Sequence, residues 1–276
     1  MDTQHTSKSY KNIEFLNSPD ARPIRMLSEY FEPLQRMRKN HIQDTIVFFG
    51  SARFLSREDA AQRRNDILRA VNAQTGRTPS RKHLEDLQSA EIMLRNSRYY
   101  EDAVELARML SKWSLTLTKK KRFVITSGGG PGIMEAANRG AQLAGAKSVG
   151  LNISLPFEQG SNPYIPPELN MEFHYFFMRK FWFVYPAKAL VVFPGGFGTL
   201  DELFEILTLV QTDKLRKQVF IVLYGSDFWR KIINFDALAE ARVINREDLS
   251  LFSTHDNPKD AFSWLKKKLT ERYLDK

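Results

Sequence analysis

Twice along this chain an apolar, strand-like run breaks into a cluster of glycines and then into a helical pattern, which restricts the fold to alternating strands and helices. The clearer case is Lys188-Ala189-Leu190-Val191-Val192-Phe193 followed by Pro194-Gly195-Gly196-Phe197-Gly198-Thr199-Leu200-Asp201-Glu202. The first part reads as a strand buried on both faces of a parallel sheet. Beyond it Leu200, Leu203, Phe204, Leu207 and Gln211 keep helical spacing. Upstream, Arg122-Phe123-Val124-Ile125-Thr126 leads through Ser127-Gly128-Gly129-Gly130-Pro131-Gly132 into a helix beginning near Ile133. Glycines before a helix N-terminus let backbone N–H groups approach an anion, and a nucleotide phosphate fits that description. No Lys follows the glycines as in a Walker loop, and the spacing is not GxGxxG, so backbone, the Thr199 hydroxyl and outside basic residues must hold the anion.

Further strands are expected at 45–50, 148–153, 172–177 and 218–224, with Met178-Arg179-Lys180 opening a helix after the fourth strand-like run. Residues 1–43 form an N-terminal extension in which 24–31 suggest a short helix or a packed arm. Residues 44–276 form the main domain, carrying a charged helical insertion at about 57–98, broken by a Gly/Pro-containing loop at 73–80. A separate helix is expected from Tyr99 to Leu115, an irregular loop with four prolines from Pro156 to Glu168, and closing helices near 226–242 and 257–273. Strands alternating with helices imply an α/β, doubly wound, mainly parallel Rossmann-like sheet whose motifs converge at one edge.

Composition excludes several chemistries. The chain of 276 residues has no cysteine, hence neither a disulfide framework nor a thiolate nucleophile. Its five histidines, His5, His41, His83, His174 and His255, show no metal-ligand spacing, so no metal is expected, and His174 reads as a core residue; no cofactor is expected either. No apolar run approaches a membrane span, the opening residues lack a signal-peptide pattern, and the cytoplasm is the expected compartment. The net charge of +9 favours anionic partners. The basic clusters read as solvated helix faces and loop ends, since none matches a nucleic-acid-binding pattern.

Together SGGGPGIMEAA at 127–137, MRK at 178–180 and PGGFGTLDE at 194–202 resemble the signatures of the LONELY GUY (LOG) family, over roughly residues 44–225. Its characterised members are Rossmann-like nucleoside 5′-monophosphate phosphoribohydrolases, long mislabelled lysine decarboxylases. The resemblance implies Arg179 and Glu202 as the catalytic pair. It implies Gly195, Gly196, Gly198 and Thr199 around the 5′-phosphate, and a homodimer with sites near the subunit interface. One departure is Ser127, which stands where the family's first loop has glycine.

The residues themselves leave alternatives. Thr199 and Glu202 have the spacing of a capping box, with Thr199 as N-cap; alternatively Glu202 supports an oxocarbenium-like ribosyl centre, kept ionised by the helix terminus. Arg179 would bind phosphate or ribose and place the leaving base, with Lys180, Gly129, Gly130 and Gly132 among the substrate-binding set. Glu135 reads either as a ribose or base contact or as an ordinary helix-start acid. Ser51 and Arg53 end the first strand within reach of a nucleotide, or Arg53 forms a surface salt bridge. Asp201 reads as an exposed first-turn acid, and Phe176, Phe177, Phe181 and Trp182 as mostly packing. The expected function is hydrolysis of a nucleoside 5′-monophosphate, AMP-like or of cytokinin type, to free base and ribose 5-phosphate. The alternatives are a non-catalytic nucleotide or cofactor carrier or sensor and, on the old label alone, a pyridoxal-phosphate decarboxylase.

Overall fold

The computed structural model describes residues 8–72, 80–154 and 160–275. Among them a single sheet has the order β4-β3-β2-β1-β5-β6-β7, with every neighbouring pair parallel. The strands are β1 Asp44–Phe49, β2 Phe123–Ser127, β3 Ser148–Ile153, β4 Asn170–Phe173, β5 Ala187–Val192, β6 Phe220–Tyr224 and β7 Phe252–His255. The helices are α1 Ile13–Asn17, α2 Arg22–Lys39, α3 Arg57–Asn72, α4 Arg81–Leu115, α5 Ile133–Leu143, α6 Phe176–Val184, α7 Phe197–Gln211, α8 Ser226–Ile232, α9 Phe235–Glu240 and α10 Pro258–Leu269.

Alternate residues of the central strands feed two cores. Ile46 and Phe48 of β1 with Ala189 and Val191 of β5 pack toward α4, α5 and α10. Val47, Phe49, Leu190 and Val192 face the opposite way, toward α2, α6 and α7. Burial on both faces is why these strands are nearly uninterrupted apolar runs. The order reverses between β1 and β5, so a crevice opens at their carboxyl ends, where open α/β sheets bind ligands.

Four expectations require correction. The helix expected at 99–115 is the second half of a continuous 35-residue α4 that starts at Arg81, capped by Ser80. No Gly or Pro interrupts 81–115, so nothing ends the helix at the insertion's edge. The expected loop before it lies, up to residue 79, outside the described residues. The strand expected at 172–177 stops at Phe173, and Phe176 already begins α6. His174 is therefore an exposed connector rather than a core residue. The closing segment near 226–242 divides into α8 and α9, and a seventh edge strand, β7, follows them.

Helix α2, ahead of β1, packs against α6. Tyr30 lies 5.5 Å from the Phe181 ring and 5.9 Å from Trp182, and the indole Nε1 of Trp182 donates to the Glu29 carbonyl at 2.9 Å. The Glu29 carboxylate also accepts from the backbone N–H of His174 at 2.8 Å and of Tyr175 at 3.2 Å, just ahead of α6. A carboxylate at that end is favourable against the helix dipole.

Candidate active site

The loop after β5 is shaped by contact with its own helix. A Cβ on Gly195 would lie 2.1 Å from Thr199 Oγ1, so glycine there lets the chain fold closely over the first turn of α7. Gly196 is the N-cap and offers no side-chain acceptor, while Cβ atoms on Gly196 and Gly198 would meet nothing within 4 Å. No neighbouring atom of the described residues accounts for their missing side chains. The N–H groups of a helix's first turn have no intrahelical partners, so this terminus can receive an anion.

The first glycine loop is held from within. Gly129 and Gly132 have φ values of +78° and +71°, which favour glycine, and a Cβ at either would strike Asn152 or the Ser51 carbonyl. Behind the loop Asn162 Nδ2 donates to the carbonyls of Gly129 and Gly130 at 2.9 and 3.0 Å and to Asn138 Oδ1 at 3.0 Å. Asn138 also accepts from Ser127 Oγ at 2.7 Å and donates to Ser148 Oγ at 2.9 Å. Ser127 thus has a task that glycine lacks, which gives the departure from the family pattern a structural reason. The sequence reading missed Asn138, Asn152 and Asn162; the available signal was an Asn among the small apolar residues of α5.

Ser51 joins the two loops. Its N–H donates to the Pro194 carbonyl at 3.0 Å and its carbonyl accepts from Ile133 N at 3.1 Å. Arg53 is exposed and forms no salt bridge with the described residues. Glu135, in the first turn of α5, accepts from the Tyr100 hydroxyl at 2.7 Å.

Arg179 and Glu202 come together although they stand on different helices: Arg179 Nη2 lies 3.6 Å from Glu202 Oε1. The guanidinium also lies 5.1 Å from the Phe176 ring centroid and 5.5 Å from that of Phe183. Glu202 is 5% exposed, and its Oε2 has no hydrogen-bond partner among the described residues. Burial pushes the carboxyl up to about 7, against the opposing pull of Arg179 and Lys180.

These facts revise the reading of Glu202. Because α7 starts at Phe197, Thr199 is the third helical residue rather than the N-cap, so the capping box does not form. Glu202 falls in the second turn, beyond the strongest reach of the helix terminus, and the terminus does not keep it ionised against burial. Lys180 points elsewhere than the cradle, pairing with Asp201 at 2.8 Å and Glu205 at 3.0 Å. Asp201 is exposed, as expected. Among the four aromatics read as packing, Trp182 is buried, but Phe176 and Phe177 are 48% and 54% exposed.

Residues 134–265, spanning Arg179, the second glycine loop and Glu202, match the family model described as "Possible lysine decarboxylase". The match supports a LOG-family domain over this segment. No curated protein matches the chain. Among solved structures, the X-ray structure of TM1055, a structural-genomics target, aligns with TM-score 0.47 and 19% identity, covering 81% of this chain and 99% of that one. The molybdenum cofactor carrier protein from Chlamydomonas reinhardtii aligns with TM-score 0.43 and 16% identity, covering 83% and 99%. The molybdenum cofactor binding protein from the phototrophic bacterium Rippkaea orientalis aligns with TM-score 0.42 and 17% identity, covering 62% and 89%.

A decarboxylase using pyridoxal phosphate needs a lysine amine for the Schiff base. The lysine beside the Arg179–Glu202 pair is Lys180, whose Nζ is held between two carboxylates, and these residues do not fit that cofactor. Among the described residues no group of three or more His, Asp or Glu could hold a metal ion, and no helix is long and apolar enough to cross a membrane.

Proposed function

We propose that the LOG domain hydrolyses the N-glycosidic bond of a nucleoside 5′-monophosphate, giving free base and ribose 5-phosphate. The observation that carries this reading is the buried Glu202 carboxyl, with one oxygen toward Arg179 and the other unpartnered, on the helix whose glycine-rich N-terminus opens into the same crevice.

In this reading Gly195, Gly196, Gly198 and Thr199 receive the 5′-phosphate through backbone N–H groups and a hydroxyl, leaving the ribose over Glu202. As the C1′–N bond breaks, its electron pair leaves with the base and positive charge grows at the ribosyl centre. A fixed carboxylate in a site of low dielectric stabilises that charge. Water adds its oxygen to C1′ and yields its proton to Glu202, which passes it to the departing base nitrogen. A carboxyl with a pKa near 7 is suited to accepting and returning a proton near neutral pH. Arg179 orients Glu202 and offers a planar set of donors to ribose or phosphate. A homodimer belongs to the same reading, since it would give the exposed Phe176 and Phe177 a partner surface.

The test is chromatographic detection of free base from a panel of nucleoside monophosphates, including AMP and isopentenyladenosine monophosphate. Release that disappears in Glu202→Gln supports the hydrolase. Nucleotide binding with no release from any substrate overturns it in favour of a carrier or sensor.

A further inference from the structure

A cleft of about 480 Å³ opens from Ser51, the residue bonded to both glycine loops, and runs outward along the exposed half of α4. Its lining residues on α4 recur at helical spacing, so Gln88, Ile92, Met93 and Asn96 share one face. Arg53 and Phe54 line the other side, and the Phe54 ring is braced by stacking on Tyr99 at 5.6 Å between centroids. None of these residues lies within the matched segment 134–265.

We infer that this cleft is the nucleobase subsite, and that the α3–α4 insertion selects a purine; this rests on the phosphate and ribose lying where the proposed function puts them. The chemistry of the walls carries the argument. Phe54, Ile92 and Met93 supply apolar surface for the faces of a flat ring. Gln88 and Asn96 present carboxamides, each with a donor and an acceptor, and neither makes a hydrogen bond with the described residues. A carboxamide can bond a purine in bidentate fashion across N6 and N7 of adenine, and an arginine fork can do so across O6 and N7 of guanine. The one acid at the rim, Glu85, already pairs with Arg81 at 2.8 Å. The one cation lining the cleft, Arg53, is a poor cage for a polyphosphate but sufficient for an edge-on contact with a base. The volume falls in the ordinary range for small-molecule sites, about 300–1,000 Å³, and leaves space for a substituent on the ring.

The experiment compares AMP, CMP and ribose 5-phosphate by titration calorimetry in a Glu202→Gln background, with base release measured separately in the unmodified protein. Two cleft variants are used: the double variant Gln88→Ala/Asn96→Ala, which removes the amides, and Ile92→Trp, which fills the space from an exposed position. The expected result is AMP binding weakened about tenfold or more by both, stronger binding of AMP than of CMP before substitution, and unchanged affinity for ribose 5-phosphate, which has no base. AMP affinity unaltered in both cleft variants would overturn the subsite, as would equal losses for AMP and ribose 5-phosphate, or no AMP binding at all. Absence of base release with AMP binding still sensitive to the cleft would remove the hydrolase while leaving the subsite standing.

Discussion

The Glu29 carboxylate accepts the His174 backbone N–H at 2.8 Å across 145 residues of chain, joining α2 to the segment that starts α6. The second oxygen takes the neighbouring Tyr175 N–H, so one side chain fixes where the helix bearing Arg179 begins. Replacing Glu29 with Ala leaves two donors without their acceptor, a loss of about 1–2 kcal/mol measurable by denaturant unfolding. The expected kinetic consequence is a lower kcat with little change in KM, partly restored by Glu29→Gln. Loss of stability with kcat unchanged would make this a purely structural contact.

Glu202 gives opposite signs for stability and activity. Its folded pKa of about 7 lies above the ordinary carboxyl value, so its neutral form favours the fold; that contribution is complete below the ordinary value and is lost as pH rises through 7. Glu202→Gln should therefore raise the melting temperature at pH 8.5, by up to on the order of 3 kcal/mol in stability, with the gap closing toward pH 4.5. Base release by the unmodified protein should fall as pH drops below about 7, where the carboxylate is lost. A pH-independent difference in melting temperature would show that Glu202 does not titrate as proposed.

The glycines of the second loop separate folding from binding. Gly195→Ala places a methyl 2.1 Å from Thr199 Oγ1 and should distort the loop, whereas Gly196→Ala meets no protein atom within 4 Å. Gly196→Ala is expected to retain the melting temperature yet bind ribose 5-phosphate at least tenfold more weakly, because the methyl intrudes only on the ligand. Unchanged binding would place the phosphate elsewhere.

Asn162 should be costly to remove. Asn162→Ala takes a donor from the Gly129 and Gly130 carbonyls and from Asn138 Oδ1, all in a buried network. A loss of about 2–3 kcal/mol is expected by chemical denaturation, with phosphate affinity falling less than in Gly196→Ala.

How far the sequence could be read follows from which features are local. The strands β1, β2, β3, β5 and β6 are apolar runs, and both glycine loops announce themselves. The strand β7 was missed because Phe-Ser-Thr-His at 252–255 is short and its residues are only partly buried or exposed. The aromatic run at 172–177 has strand propensity, yet Phe176 and Phe177 enter a helix whose lead-in residues are tied to α2, a tertiary contact that no local pattern encodes. Thr199 mimicked an N-cap because the helix absorbs Gly198 and starts at Phe197. The motifs single out Arg179 and Glu202, and the fold brings them within 3.6 Å, but the burial that raises the Glu202 carboxyl to about 7 belongs to the folded chain.

The continuity of α4 makes the cleft wall a braced beam: from Ser97 onward it is clamped in the core, while the portion carrying Gln88 and Ile92 continues beyond that anchorage with α3 packed along it. A rigid rod of this kind couples sequence length to the direction its outer residues face. Deleting a single residue between Ile92 and Ser97 would leave the clamped half in register and swing the outer half by about 100° about the helix axis, taking Gln88 away from Arg53. Length changes in this stretch are thus tolerated only in near-whole turns, whereas point substitutions can vary the wall's chemistry without moving it.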